Sequence, residues 1–88
     1  MGAVAETIKA KLFAAFAPDK VDLVDDSSRH EGHAHAGVES HFSLTIQAAA
    51  FAGLSRMERQ RLVMRVLAEE LAGPVHALSI RALGPGER

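Results

Sequence analysis

The chain has 88 residues and a formal charge of −1 with histidine neutral, which fits one small domain and gives a poor electrostatic footprint for general nucleic-acid binding. Hydrophobic residues make up 48% of it, enough for a core, although a domain this size buries only about 60% or a little more of its unfolded surface, so modest stability is expected. The absence of cysteine excludes a disulfide framework and every thiolate metal site built from this chain alone, leaving His, Asp and Glu as metal donors unless a partner lends sulfur.

Val4, Ile8 and Leu12 recur every four residues, and Ala5, Ala15 and Phe16 widen the stripe while Lys9 and Lys11 point elsewhere. This spacing predicts an amphipathic helix of roughly three turns ended by Pro18. Val21 to Asp25 reads as a short first strand. The composition then turns polar through Asp25-Asp26-Ser27-Ser28-Arg29-His30-Glu31-Gly32-His33-Ala34-His35-Ala36-Gly37, which reads as a loop. From His41 to Gln47 the residues alternate, with Phe42, Leu44 and Ile46 on one face and His41, Ser43, Thr45 and Gln47 on the other. That is a half-buried strand. Two strands flanking one loop predict a hairpin, and its connection is long enough to suggest function.

Ala48 to Gly53 leaves helix and strand open. Ser55-Arg56-Met57-Glu58 is a capping box, Ser55 reaching the N3 amide and Glu58 reaching back. Val63, Val66, Leu67 and Leu71 form the stripe of the helix it opens, with Arg59, Arg61, Arg65 and Glu69 outside; Gly73 and Pro74 stop it. Leu78, Ile80 and Ala82 alternate with Ala77, Ser79 and Arg81 in a last strand. Residues 1–83 are read as a single domain, and Gly84-Pro85-Gly86-Glu87-Arg88 as a tail expected to fray. The order helix-strand-strand-helix-strand predicts a mixed α/β (α+β) fold: a three-stranded sheet with two helices on its apolar face and a polar face open to solvent.

Three stretches taken together resemble the BolA family: Asp25-Asp26-Ser27 leading to His30 and His33; Glu39-Ser40-His41-Phe42 with Phe51-Ala52-Gly53-Leu54-Ser55 and the arginine-bearing helix; and Val75-His76-Ala77-Leu78-Ser79-Ile80. The likeness runs from about Ile8 to Leu83. The family's aspartate-glutamate-serine motif stands here as Asp25-Asp26-Ser27, and its Arg-His-Arg run as Arg59-Gln60-Arg61. The resemblance implies a KH-like fold of the type-II kind. It also implies a monothiol glutaredoxin as partner, with a shared [2Fe-2S] cluster for which the glutaredoxin and glutathione each provide a thiolate. On the BolA-like side it implies His76 and a loop histidine, His30 with His33 as the alternative; the isolated chain is expected to carry no cofactor. Function in iron–sulfur cluster assembly or trafficking and in iron or redox regulation follows from this resemblance, as does the alternative of a DNA-binding regulator of stress response and morphology.

Imidazoles replace two thiolates in Rieske-type centres, where they raise the potential. They also protonate near pH ~6.5, so a cluster held partly by histidine is expected to be more pH-sensitive than an all-cysteine one. The bland readings stand beside these. A Gly-rich polar loop tolerates histidines without using them, and His76 at a strand entry is equally a partly buried residue with a backbone partner. His35 has no match in the family pattern, and His41 reads as structural or loop-bracing. Arg56, Arg59, Arg61 and Arg65 are either a solvated face or a phosphate-binding one. Nucleic-acid binding lacks the GXXG loop of KH domains and has no Tyr or Trp to stack bases. No nucleophile elbow, P-loop or HExxH occurs, so no enzymatic activity is expected and no small-molecule substrate. No apolar run approaches the ~20 residues of a membrane span and no signal peptide is evident, so the expected compartment is the cytoplasm.

Overall fold

The computed structural model describes residues 2–26 and 40–88. Helix α1 is Ala3–Phe16, about four turns rather than three, because the alanine-rich ends extend the helix on both sides of the apolar stripe. Ala5, Ile8 and Leu12 are buried, whereas Ala15, expected on the stripe, is exposed. The helix ends where Ala17 turns left-handed (φ 44°, ψ 54°), its amide donating to the Phe13 carbonyl, and Pro18 forbids continuation.

Strands β1 (Lys20–Asp25) and β2 (His41–Gln47) pair antiparallel, Lys20 opposite Gln47 and Asp25 opposite Phe42. Strand β3 (Ala77–Leu83) joins the other side of β2 in parallel, His41 opposite Ala77 and Gln47 opposite Leu83. The sheet order is therefore β1-β2-β3, and a parallel neighbour demands a helical crossover. That crossover starts with a 3-10 turn, Ala49–Phe51, which resolves the open reading of Ala48 to Gly53. Gly53 at φ 76° makes the left-handed turn before the next helix.

Helix α2 (Arg56–Val66) opens on the expected capping box: Ser55 Oγ accepts from the Glu58 amide at 3.1 Å, and Glu58 Oε1 accepts from the Ser55 amide at 2.9 Å. These bonds hold the Glu58 carboxyl below its ordinary range. The helix expected to run on towards Gly73 is interrupted at Leu67 (φ −100°, ψ 20°), after which α3 (Ala68–Ala72) adds a short segment. The interruption seats Leu67 in the core and sets Glu70 against Lys11 of α1. Lys11 is thus half-buried rather than free: its Nζ lies 2.7 Å from both Glu69 Oε1 and Glu70 Oε2. These bonds raise the Lys11 pKa and lower that of Glu69.

Ala5, Ile8 and Leu12 of α1 and Val63 of α2 join Leu67 in one core with Leu23, Phe42, Leu44 and Ile46 of the sheet. Both long helices therefore cover the same sheet face, as the strand alternation requires. The opposite face carries Ser43, Thr45, Ser79 and Arg81, the last two exposed.

Candidate functional site at the loop end of the sheet

The loop bearing His30, His33 and His35 lies outside the described residues, but both of its anchors are described. Asp26, following β1, donates its amide to the His41 carbonyl at 2.7 Å, and its carboxylate accepts from the Ser43 hydroxyl. On the other side Ser40, preceding β2, is buried, and its carbonyl accepts from the amides of His76 (2.8 Å) and Ala77 (3.2 Å). Asp26 and Ser40 therefore both lie at the sheet end where β3 begins. His76 sits at that end because the α3–β3 turn is pinned from both sides, the Val75 amide donating to the Glu70 carbonyl at 2.9 Å while the Val75 side chain is buried. This places His76 exposed, beside the loop base.

The parallel pairing brings a second imidazole to the same place. His41 opens β2 opposite Ala77, and its ring centroid is 6.3 Å from that of His76, the planes tilted by 36°. Ser40 Oγ and His41 Nδ1 lie 2.8 Å apart, a hydrogen bond whose direction follows the imidazole tautomer. It orients the ring. Asp26, His41, Ser43, Ala77, Leu78 and Ser79 line a shallow hollow of about 400 Å³ at this end. Sequence reasoning assigned His41 a bracing role and missed its closeness to His76. The signal was its position on the polar face at the start of β2, which becomes informative only once β3 is known to pair in parallel. Among the described residues no three His, Asp or Glu side chains converge in a way that would hold a metal ion. A neutral imidazole offers one lone pair, so His76 and His41 between them present two nitrogen donors and no sulfur.

The arginines of α2 separate into two kinds. Arg59, expected outside, turns inward, with only 11% of its side chain exposed. Its Nε donates to the Leu54 carbonyl at 3.0 Å, and Nη1 to the Ala82 carbonyl at 3.1 Å. Its guanidinium also grips Glu87 in a two-pronged ion pair at 2.5 and 3.0 Å. Glu87 further accepts from the Gly84 amide at 3.0 Å, and Gln47 Nε2 donates to the Gly84 and Glu87 carbonyls. The residues expected to fray thus form an ordered set of bonds across β2, β3 and α2. The Arg59 guanidinium and the Gly84 amide pull the Glu87 carboxyl down to about 2, while Glu87 raises the Arg59 pKa. Arg56, Arg61 and Arg65 remain exposed. Of the phenylalanines, Phe42 and Phe51 are buried, Phe16 is half-buried and Phe13 is 52% exposed. Among the described residues no helix is long and apolar enough to cross a membrane.

Comparison with known proteins adds the family context. The sequence profile described as "BolA-like protein" matches residues 12–87. A mouse protein named BolA-like protein 1 is 45% identical over 87 residues, covering 98% of this chain and 61% of its own length; the chain thus spans about three-fifths of that relative. The Escherichia coli protein named DNA-binding transcriptional regulator BolA is 42% identical over 77 residues, covering 88% of this chain and 71% of its own. Among solved structures, the BolA domain of SufE1 from Arabidopsis thaliana superposes with a TM-score of 0.86 at 38% identity, covering 97% of this chain and 95% of the other.

Proposed function

This chain belongs to the BolA-like family, and from that premise we propose that it partners a monothiol glutaredoxin in the cytoplasm and shares a [2Fe-2S] cluster with it, serving iron–sulfur cluster assembly or trafficking and iron or redox regulation. The observation that supports this reading is at one sheet end: His76 stands exposed and bonded through its amide to Ser40, Asp26 is bonded to His41 at the same end, and His30 and His33 fall in the sequence between Asp26 and Ser40. A chain without cysteine contributes imidazole donors to such a cluster, His76 and one of His30 or His33. Two thiolates from glutaredoxin and glutathione complete the four positions that a [2Fe-2S] centre requires. Histidine ligands keep their orientation through hydrogen bonds and packing around them. Here the amide bond from His76 to the Ser40 carbonyl fixes the backbone that carries the imidazole, and the His41 ring centroid lies 6.3 Å from it. The names of the relatives, a BolA-like protein and a transcriptional regulator, point to a non-enzymatic protein.

The test is anaerobic reconstitution with a monothiol glutaredoxin, iron, sulfide and glutathione, followed by visible absorption and circular dichroism. The expected result is a [2Fe-2S] spectrum distinct from that of glutaredoxin alone, lost in His76→Ala and in one of His30→Ala or His33→Ala. A spectrum indifferent to this chain would overturn the reading.

The second reading, a DNA-binding regulator, draws on the name of the Escherichia coli relative and on exposed Arg56, Arg61 and Arg65. Arg59 cannot join them without releasing Glu87. If α2 contacts phosphates, binding falls steeply with salt, and each of Arg61→Ala and Arg65→Ala lowers the slope of log K against log salt by about 0.9. DNA affinity that is weak at physiological salt and survives both changes would dismiss this reading.

A further inference from the structure

The outward side of α2 is built differently from a solvated helix face. Met57 is 62% exposed and Met64 43% exposed. Seven residues apart on a helix, they lie within about 20° of each other around the axis and roughly 10 Å apart along it. Arg61 falls between them, and Arg65 lies beside Met64, both exposed. The opposite side of the same helix holds Val63 and Arg59 inward, so the Met–Arg strip points directly away from the core. Neither Arg61 nor Arg65 makes an ion pair within 4 Å among the described residues, although Arg61 helps to lower the pKa of Glu58 one turn away. The nearby Glu58 carboxylate is already bonded to the Ser55 amide. Exposed methionine flanked by exposed arginine is the composition enriched in protein–protein contact surfaces, where lysine and glutamate are depleted.

We infer that the Met57–Arg61–Met64–Arg65 strip of α2 is a docking surface for an acidic, amphipathic helical segment of another protein. Charge complementarity selects this occupant. A second copy of the same face would set Arg61 and Arg65 against their own counterparts, and like charges across an interface are strongly disfavoured. A phosphate backbone would satisfy the arginines but leave the two methionines, which form the middle of the strip, against a charged surface. Stacking of bases is poorly served as well, since Phe13 on α1 is the one phenylalanine more than half exposed among the described residues. An apolar pair two turns apart on a partner helix, with Asp or Glu a turn from each, matches both halves of the strip, since residues at i, i+4 and i+7 share one helix face.

Photo-crosslinking from Met57→p-benzoylphenylalanine, in the native cells and followed by sequencing of the crosslinked segment, tests this. The expected product is a protein segment that is net acidic with apolar residues at helical spacing. Adding Arg61→Glu is expected to lower its yield by about tenfold, the scale on which a like-charge contact replaces an attractive one. Reversing an acidic residue of the recovered segment to Arg should restore the yield. Both substituted positions are exposed, and far-UV circular dichroism with thermal melting establishes that each variant folds. Crosslinks to nucleic acid, to a protein segment without acidic character, or to no macromolecule would each overturn the inference.

Discussion

Replacing Phe51 by alanine probes whether the 3-10 turn is a keystone of the core or only a connection. Phe51 is 0% exposed, and its ring stands 5.1 Å from that of Phe16 at a 45° tilt, so it fastens the β2–α2 crossover to the end of α1. An aromatic side chain buries ~150–250 Å², and its ring pair adds ~0.5–1.5 kcal/mol. At ~25 cal/mol per Å², with the Cβ retained, the expected loss is about 3–5 kcal/mol, in the range for Phe→Ala in cores. A domain of this length has a total stability of roughly 4–13 kcal/mol by the usual per-residue scale. The variant should therefore lose from about a quarter to all of it, with Tm falling ~4–8 °C per kcal/mol. With no Trp or Tyr in the chain, urea denaturation followed by far-UV circular dichroism is the suitable assay. A loss below about 1 kcal/mol, the size of an ordinary surface-to-middling effect, would refute the packing argument.

Ser55→Ala removes one half of the capping box and should cost about 1 kcal/mol by the same urea assay, with α2 losing amide protection first at its N-terminus. Lys11→Ala should destabilise the fold more than Glu69→Ala does. It strips the counter-charge from Glu70, whose side chain is 10% exposed and whose Oε1 has no hydrogen-bond partner among the described residues, whereas Glu69 is 87% exposed. Equal melting temperatures for the two variants would contradict that. The Glu87 carboxyl is lowered from 4.5 to about 2, so its contribution is present above the unfolded pKa and is lost as pH falls through the folded one. Glu87→Gln should accordingly melt below the parent at neutral pH, the gap closing between about 4.5 and 2; a gap independent of pH would remove the Arg59–Glu87 pair as its cause. His76→Ala should leave stability within about 0.5 kcal/mol, because the side chain is exposed.

What was legible in the sequence was whatever repeats locally. Strand β2 was read to its end residues because Phe42, Leu44 and Ile46 alternate without a break, and the capping box because Ser55 and Glu58 are three residues apart. The features that escaped are set by partners distant in sequence. Arg59 was placed outside on charge alone, yet it stands three, four and seven residues before Leu62, Val63 and Val66 and so lies on the apolar side of α2. That spacing was the available signal. Its acceptors, the Ala82 carbonyl and Glu87, exist only after β3 has returned to α2. The His41–His76 proximity depends in the same way on the parallel register of β2 and β3. Leu67 interrupts the helix inside an unbroken apolar stripe, where no Gly or Pro marks the position.

The geometry also separates what holds the fold from what is proposed to work on a cluster. His76 precedes β3, while the Arg59–Glu87 pair lies beyond its other end at Leu83. Seven strand residues at ~3.3 Å each put roughly 20 Å between them. Groups that far apart with no shared partner act independently. Glu87→Gln should therefore lower the melting temperature while the visible circular dichroism of the reconstituted glutaredoxin complex, measured well below that temperature, is unchanged. His76→Ala should do the reverse, returning the visible spectrum to that of glutaredoxin alone with the far-UV melt intact. If Glu87→Gln erased the visible signal from protein that the far-UV spectrum reports as folded, the two ends of β3 would be coupled and the separation would fail. If His76→Ala unfolded the domain, its loss of signal would carry no information about ligation, and the choice between His30 and His33 would then rest on the loop variants alone.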